Sequence, residues 1–168
     1  LVLDPDHRQE VKIVPAKRTF GQRFTTQSGV NIDIGSPTVV ESVTTDKGGD
    51  TLEYSRQGYD FSIHDISAWN PTNSEHTEPD MGWFEVEVDG FISDSPNRTF
   101  YQGLVNPVEG GFYRGWKKQS LRPGESSGGY LFYNVPEGTV PGEVTFRYKQ
   151  PVGTNRYRIC EWRVGGSA

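Results

Sequence analysis

Phe84-Glu85-Val86-Glu87-Val88-Asp89 is the stretch that decides the fold. Apolar and acidic residues alternate strictly along it. Successive side chains of a β-strand point to opposite faces. Phe84, Val86 and Val88 are therefore expected on a core, and Glu85, Glu87 and Asp89 in water. Val144, Phe146 and Tyr148 alternate in the same way with Thr145, Arg147 and Lys149.

Outward from these two runs, similar short stretches fill the chain between turn residues. They lie at residues 10–14, 18–24, 30–34, 38–43, 59–68, 83–92, 99–104, 130–135 and 157–164. No window of about ten residues shows a helical apolar stripe. In Tyr59-Asp60-Phe61-Ser62-Ile63-His64-Asp65-Ile66 the apolar phase slips after Ile63, which predicts a β-bulge near His64-Asp65. Lys47-Gly48-Gly49-Asp50 carries a hairpin signal. Arg122-Pro123-Gly124-Glu125 reads as a Pro-Gly turn. The polar stretch 70–79 reads as a loop. Residues 102–119 mix Gly, Pro and aromatics and give no assignment, beyond a conceivable helical turn over 114–118. About nine short strands without alternating helices predict an all-β fold, a two-sheet antiparallel sandwich, with a closed barrel as runner-up.

Composition fits this. The 168 residues are only 33% hydrophobic but 12% aromatic, so a core can be built from a few large rings. Twenty Gly and eleven Pro punctuate the chain often. A net charge of −5 argues against nucleic acid as a partner. No run approaches the ~18 apolar residues of a spanning helix, so a membrane enters only through an unseen anchor. The expected organisation is an N-terminal arm or first strand over 1–17, a sandwich over 18–164 and a flexible tail over 165–168. The chain opens on Leu1 instead of Met, and removal of an upstream segment is expected. Cys160 is the single cysteine and is read as a buried, inert thiol, against an intermolecular disulfide or a reactive thiol.

The most specific pattern runs from Ser120-Leu121-Arg122-Pro123-Gly124-Glu125 through Gly128-Gly129-Tyr130-Leu131-Phe132-Tyr133-Asn134-Val135-Pro136. A leucine and Pro-Gly-Glu turn lead to a glycine, an apolar strand and Val-Pro. Phe20-Gly21, and Tyr59-Asp60-Phe61-Ser62-Ile63 followed by Trp69-Asn70-Pro71-Thr72, fit the same template. Over residues 18–150 the chain resembles the telokin-like, immunoglobulin-type domains of secreted bacterial and archaeal proteins and lipoproteins of unknown function, the mycobacterial immunoprotective extracellular protein type among them. The resemblance implies an immunoglobulin-like sandwich, an extracellular or cell-surface location and no known catalytic site. The acidic loop over 73–80 and the strand over 157–164 depart from that template.

Chemistry-bearing residues are sparse. Gly124-Glu125-Ser126-Ser127-Gly128 matches the nucleophile-elbow motif formally. The motif needs a strand before it, a helix after it and a downstream histidine, whereas here a turn precedes, a strand follows and the last histidine is His76. His64 and Asp65 with His76 and Glu78 would form a transition-metal site only by converging; the plain reading is a solvent-facing strand histidine and a loop histidine. Asp4, Asp6 and Glu10, and Glu75, Glu78 and Asp80, are carboxylate groups of the kind that hold calcium, but lack the Asp-x-Asp-x-Asp-Gly spacing. Glu85 and Glu87 share a strand face, where solubility explains them better than glycoside hydrolysis. No catalytic, cofactor or metal residue is assigned.

Two non-enzymatic expectations remain. In the first, the protein works by protein contacts or self-assembly, as a surface or filament subunit. An N-terminal arm beginning Leu1-Val2-Leu3 would add a strand to a neighbour's open sheet edge. In the second it binds a glycan or calcium, with Trp116, beside Lys117 and Lys118, as the aromatic platform. Asn97-Arg98-Thr99 reads as an N-glycosylation acceptor at Asn97.

Overall fold

The computed structural model describes residues 16–47, 50–94, 104–108, 111–114 and 120–165. Fourteen strands account for most of them: β1 (Ala16–Thr19), β2 (Arg23–Thr25), β3 (Asn31–Ile34), β4 (Thr38–Val40), β5 (Val43–Lys47), β6 (Asp50–Tyr54), β7 (Tyr59–Trp69), β8 (Phe84–Val88), β9 (Phe91–Ser93), β10 (Leu104–Val108), β11 (Gly111–Arg114), β12 (Ser126–Pro136), β13 (Val144–Gly153) and β14 (Arg156–Arg163). One sheet runs β1-β14-β13-β8-β9 and a second β12-β7-β3-β2, with β4 also on β7. Every pairing is antiparallel except β1 on β14, which is parallel from Ala16↔Cys160 to Thr19↔Arg163. A third sheet, β11-β10-β5-β6, lies beside the sandwich and was not expected from the sequence.

The core follows from the alternation. Phe84, Val86 and Val88 of β8, with Val144, Phe146 and Tyr148 of β13, are buried against Leu131, Tyr133 and Val135 of β12. Trp162 closes the same cluster and donates from Nε1 to the Gln22 carbonyl at 2.9 Å. Its polar tip is thereby satisfied inside an apolar layer.

The structure corrects several local expectations. Residues 83–92 are two strands, because Asp89 and Gly90 have φ of 46° and 83° and turn the chain between Val88 and Phe91. Both central residues in the left-handed region mark the hairpin turn for which Asp-Gly is favoured. Residues 18–24 and 38–43 are likewise each broken in two. The Gly-Gly hairpin signal is met by the β5–β6 pair, where Lys47 sits opposite Asp50.

The predicted bulge is not on β7. Its register with β12 is continuous from Tyr59↔Pro136 to Trp69↔Ser126. The extra residue lies opposite, where β3 pairs Ile34 with Ile66 and β4 resumes with Thr38 on Ile63. Three residues there face two. The apolar phase of β7 seemed to slip because both its faces are covered. Ser62, His64, Ile66 and Ala68 turn inward, while Phe61 and Ile63 are buried with Val43 and Phe132 in a second small core reaching the third sheet. Continuous apolarity is what a doubly covered strand requires.

Candidate functional site

Four places bring chemistry-bearing side chains together. The first is a serine–histidine pair. Ser62 and His64 are two residues apart on β7 and so share its inner face. Ser62 Oγ and His64 Nε2 share a 2.8 Å hydrogen bond. Phe146 stacks at 4.5 Å from the imidazole, with Tyr133 at 6.0 Å and Phe20 at 6.1 Å. Both residues are 0% exposed, and Nδ1 has no hydrogen-bond partner. Burial pulls the imidazole pKa down from 6.5 to about 3, so the ring is neutral at ordinary pH. The sequence reading that put His64 in solvent is thus wrong, for the same reason as the bulge. A serine nucleophile needs an approach for substrate and a third group to orient its base. Among the described residues this couple has neither, and it is a polar pair sealed in an aromatic core, bonded to each other through Nε2 with Nδ1 left unpaired.

The second is an ion network on the outer face of the first sheet. Arg147 lies between Glu85 and Glu161 in register across β8, β13 and β14. Its Nε donates to Glu161 at 2.7 Å and its Nη2 to Glu87 at 2.6 Å, with Glu85 3.7 Å from Nη1. Burial works against the guanidinium charge, but the hydrogen bonds and charges of Glu161 and Glu87 outweigh it and its pKa is raised. Glu85 and Glu87, expected in plain solvent, are therefore arginine-paired and half-buried.

The third is Glu78 in the acidic loop. Its carboxylate accepts from Thr26 Oγ1 at 2.7 Å, Ser28 Oγ at 2.9 Å and Gln150 Nε2 at 2.6 Å. Three donors from two other parts of the chain pin the loop across the sandwich. His76 is held by a backbone bridge to Leu121, and His64 is sealed in the core. Among the described residues no three His, Cys, Asp or Glu side chains converge as metal ligands.

The fourth is a groove of about 640 Å³ where one side of the sandwich opens. Ala16 and Arg18 of β1 form one wall; Arg23, Phe24 and Thr25 of β2, with Gln27, form another. Val152 of β13 and Tyr157, Arg158 and Ile159 of β14 complete it. β1 and β2 are each the last strand of their sheets, so two sheet edges meet here. The Arg158 guanidinium covers the Phe24 ring at 5.0 Å, and Lys149 lies 5.3 Å from the Tyr157 ring centroid. Arg23 forms a two-pronged bond to Asp33, at 3.2 and 3.1 Å. Arg18 donates to the carbonyls of Arg23 and Lys17, which caps outward-facing backbone at the edge. Tyr157 and Val152 stand at the rim, 40% and 41% exposed.

None of these groove residues was singled out from the sequence. Arg23, Arg158 and Tyr157 sit in short alternating runs like any other, and only the sheet order brings them together. The residues that were singled out, Leu1, Val2, Leu3, Asn97 and Trp116, all lie outside the described residues. Cys160 is free, 0% exposed and pushed up to about 12, chiefly by burial, in keeping with an inert thiol.

Similar architectures occur in solved bacterial proteins. A secreted protein of Mycobacterium tuberculosis, MPT63, superposes with a TM-score of 0.57 at 14% identity, over 89% of this chain and 98% of its own. An uncharacterized β-sandwich protein of Clostridium difficile 630 gives 0.54 at 16% identity, over 89% and 94%. The yjhA protein of Bacillus subtilis gives 0.54 at 14% identity, over 87% and 98%. The chain has a β-sandwich fold. At these identities the likeness establishes the fold alone. No protein-family model matches the sequence, and neither does any curated protein.

Proposed function

We propose that this protein is a non-catalytic, secreted or cell-surface β-sandwich that works by protein–protein contacts, and that the edge groove is its contact surface. One observation carries the reading. The groove brings the end strands that two sheets have among the described residues together with exposed aromatic and arginine side chains, whereas the serine–histidine pair is sealed in the core. Aromatic and arginine residues anchor protein interfaces because they combine large area with directional donors. A secreted mycobacterial protein among the structural neighbours supports the extracellular placement. It also accords with the telokin-like resemblance of the Pro-Gly-Glu to Val-Pro segment.

A photo-crosslinking side chain at Tyr157, tested in the cell that makes the protein, is expected to yield discrete protein adducts. The same group at Ile92, which is exposed on β9 at the far edge of the first sheet, is expected to yield none. Equal labelling from both positions, or none from Tyr157, refutes the contact surface. The finer version is a surface assembly in which the N-terminal arm of one copy adds a strand to the next. Removing residues 1–14 is then expected to abolish self-association in light scattering, and an unchanged assembly state excludes it.

A further inference from the structure

We infer that the outer face of the second sheet, centred on Trp69, binds a neutral glycan. This goes beyond the edge-groove reading and does not rest on it.

The strand pattern opens the face. β7 is buried on both sides as far as His64; beyond it Asp65, Ser67 and Trp69 are exposed while Ile66 and Ala68 stay in the core. Register carries the exposed side across the sheet. Trp69 stands opposite Asn31, and Asn31 opposite Thr25. Two residues along, Ser67 stands opposite Asp33, and Asp33 opposite Arg23. Partners in register share a face, so the indole and the Arg23–Asp33 pair lie on one surface.

The ring lies flat on it. Asn31 belongs to this outer face yet is only 9% exposed, and the Arg23 guanidinium, two strands from β7, is 5.6 Å from the Trp69 ring centroid. An indole leaning across β3 accounts for both. One ring face then covers Asn31 and the other is left to solvent, in a residue that is 41% exposed. Ser126 and Gly128 of β12, both exposed, add little bulk at its flank.

The groups around the ring select the ligand. Aromatic faces carry partial negative charge and attract polarised C–H groups. A pyranose with equatorial hydroxyls presents such a C–H face, bordered by hydroxyls that both donate and accept. Arg23 and Asp33 suit that border. Their fork, at 3.2 and 3.1 Å, uses two of about five guanidinium donors and two of about four carboxylate acceptor positions, so fixed donors and acceptors remain beside the ring. The pair sums to no net charge, which complements an uncharged polyhydroxyl ligand and gives neither an anion nor a cation an advantage. A protein partner fits less well. Interface anchors sit inside well-packed, desolvated patches, whereas the described residues that register places around Trp69 are small or polar.

The test uses the full chain with cellohexaose, chitohexaose and the acidic polymer polygalacturonate, read by isothermal titration calorimetry. At least one of the two neutral oligosaccharides is expected to bind. Trp69→Ala is expected to weaken that binding about tenfold or more, with Trp69→Phe between variant and parent. Asp33→Asn is expected to weaken it about fivefold. Thermal melting verifies that each variant is folded. Unchanged binding by Trp69→Ala overturns the stacking platform. Preference for polygalacturonate overturns the neutral class, and no binding of any of the three overturns the proposal. A photo-crosslinking side chain at position 69 that yields discrete protein adducts in the cell assigns this face to a protein partner and overturns the glycan. None of these outcomes bears on crosslinking from Tyr157, so the two surfaces stand or fall separately.

Discussion

His64 makes folding stability depend on pH in a way that can be isolated. Its imidazole is neutral in the native core, with a pKa drawn from 6.5 down to about 3 by burial. In the unfolded chain it titrates near 6.5. Between those values the unfolded state binds a proton that the native state does not. Protonation therefore favours unfolding, and stability falls as pH drops below about 6.5. From pH 7 to pH 5 this single group is expected to remove about 2 kcal/mol. The figure depends on the unfolded pKa alone, provided the native value lies well under 5, so the depth of burial need not be known closely. The perturbation is His64→Gln, which does not titrate, is similar in size and keeps a polar atom for Ser62. It is expected to cost about 1–3 kcal/mol at pH 7, by disturbing the pair and the ring packing. Urea unfolding of both proteins at pH 7 and pH 5 gives the comparison. The carboxylates contribute alike to both and cancel in the difference. The parent is expected to lose about 2 kcal/mol more than the variant over that interval. Equal losses would show that His64 is charged or reachable in the native state, and the sealed-pair account of the core would fall with it.

Three further outcomes follow from the geometry. Arg147→Met strands Glu87 and leaves Glu85 and Glu161 only the 3.8 Å contacts to Lys149 and Arg163, with side chains 29%, 12% and 11% exposed in that order. Breaking a buried pair costs about 3–5 kcal/mol, and Glu87's partial access to water reduces the expectation to about 2–3 kcal/mol in urea melts; a loss under about 0.5 kcal/mol would make the network ornamental. Gly29 has φ of 96°, and a Cβ there would meet Thr72 Cγ2 at 2.8 Å, whereas Gly58, at 80°, opens on empty space. Gly58→Ala is expected to cost about 1 kcal/mol and Gly29→Ala about 1 kcal/mol more, with equal shifts refuting the close approach. Cys160, buried and held protonated, is expected to resist a thiol reagent in the native protein at pH 8 and to react at once in urea; native labelling as fast as unfolded would overturn its burial.

Much of the sandwich was legible because one rule governs it. Where a strand has one apolar and one polar face, as at Phe84–Val88 and Val144–Lys149, alternation names the core residues directly. The rule failed on β7. Its two covered faces erase the alternation, and an apolar residue of the second face was mistaken for a slip of the first. It failed differently at Asp89-Gly90, where Ile92 stays in phase with Val86 and Val88 across a chain reversal and yet is exposed on the other strand. The third sheet went unseen for a related reason. Val43 and Phe132 belong to the small core beneath it, but the runs that carry them look complete without it. The groove was illegible in principle. Arg23 and Arg158 stand 135 positions apart in the chain, and only the order of strands in two sheets places them on one opening.

That asymmetry bears on where function can reside in such a fold. Ser62 and His64 show that catalytic residue types at hydrogen-bond distance do not make a site. The period of two that puts them on one face also aims them into the densest part of the core. What a closed sandwich leaves accessible is its outer faces and its edges. Here the outer face of the first sheet is occupied by the Arg147 network, whose hydrogen bonds to Glu87 and Glu161 are already made within the molecule. The edge differs. Among the described residues Arg158 is held over the Phe24 ring and no carboxylate engages it. On the proposed contact reading, a partner at the edge would meet a guanidinium that no described carboxylate engages, whereas at Arg147 it would have to displace the hydrogen bonds to Glu87 and Glu161.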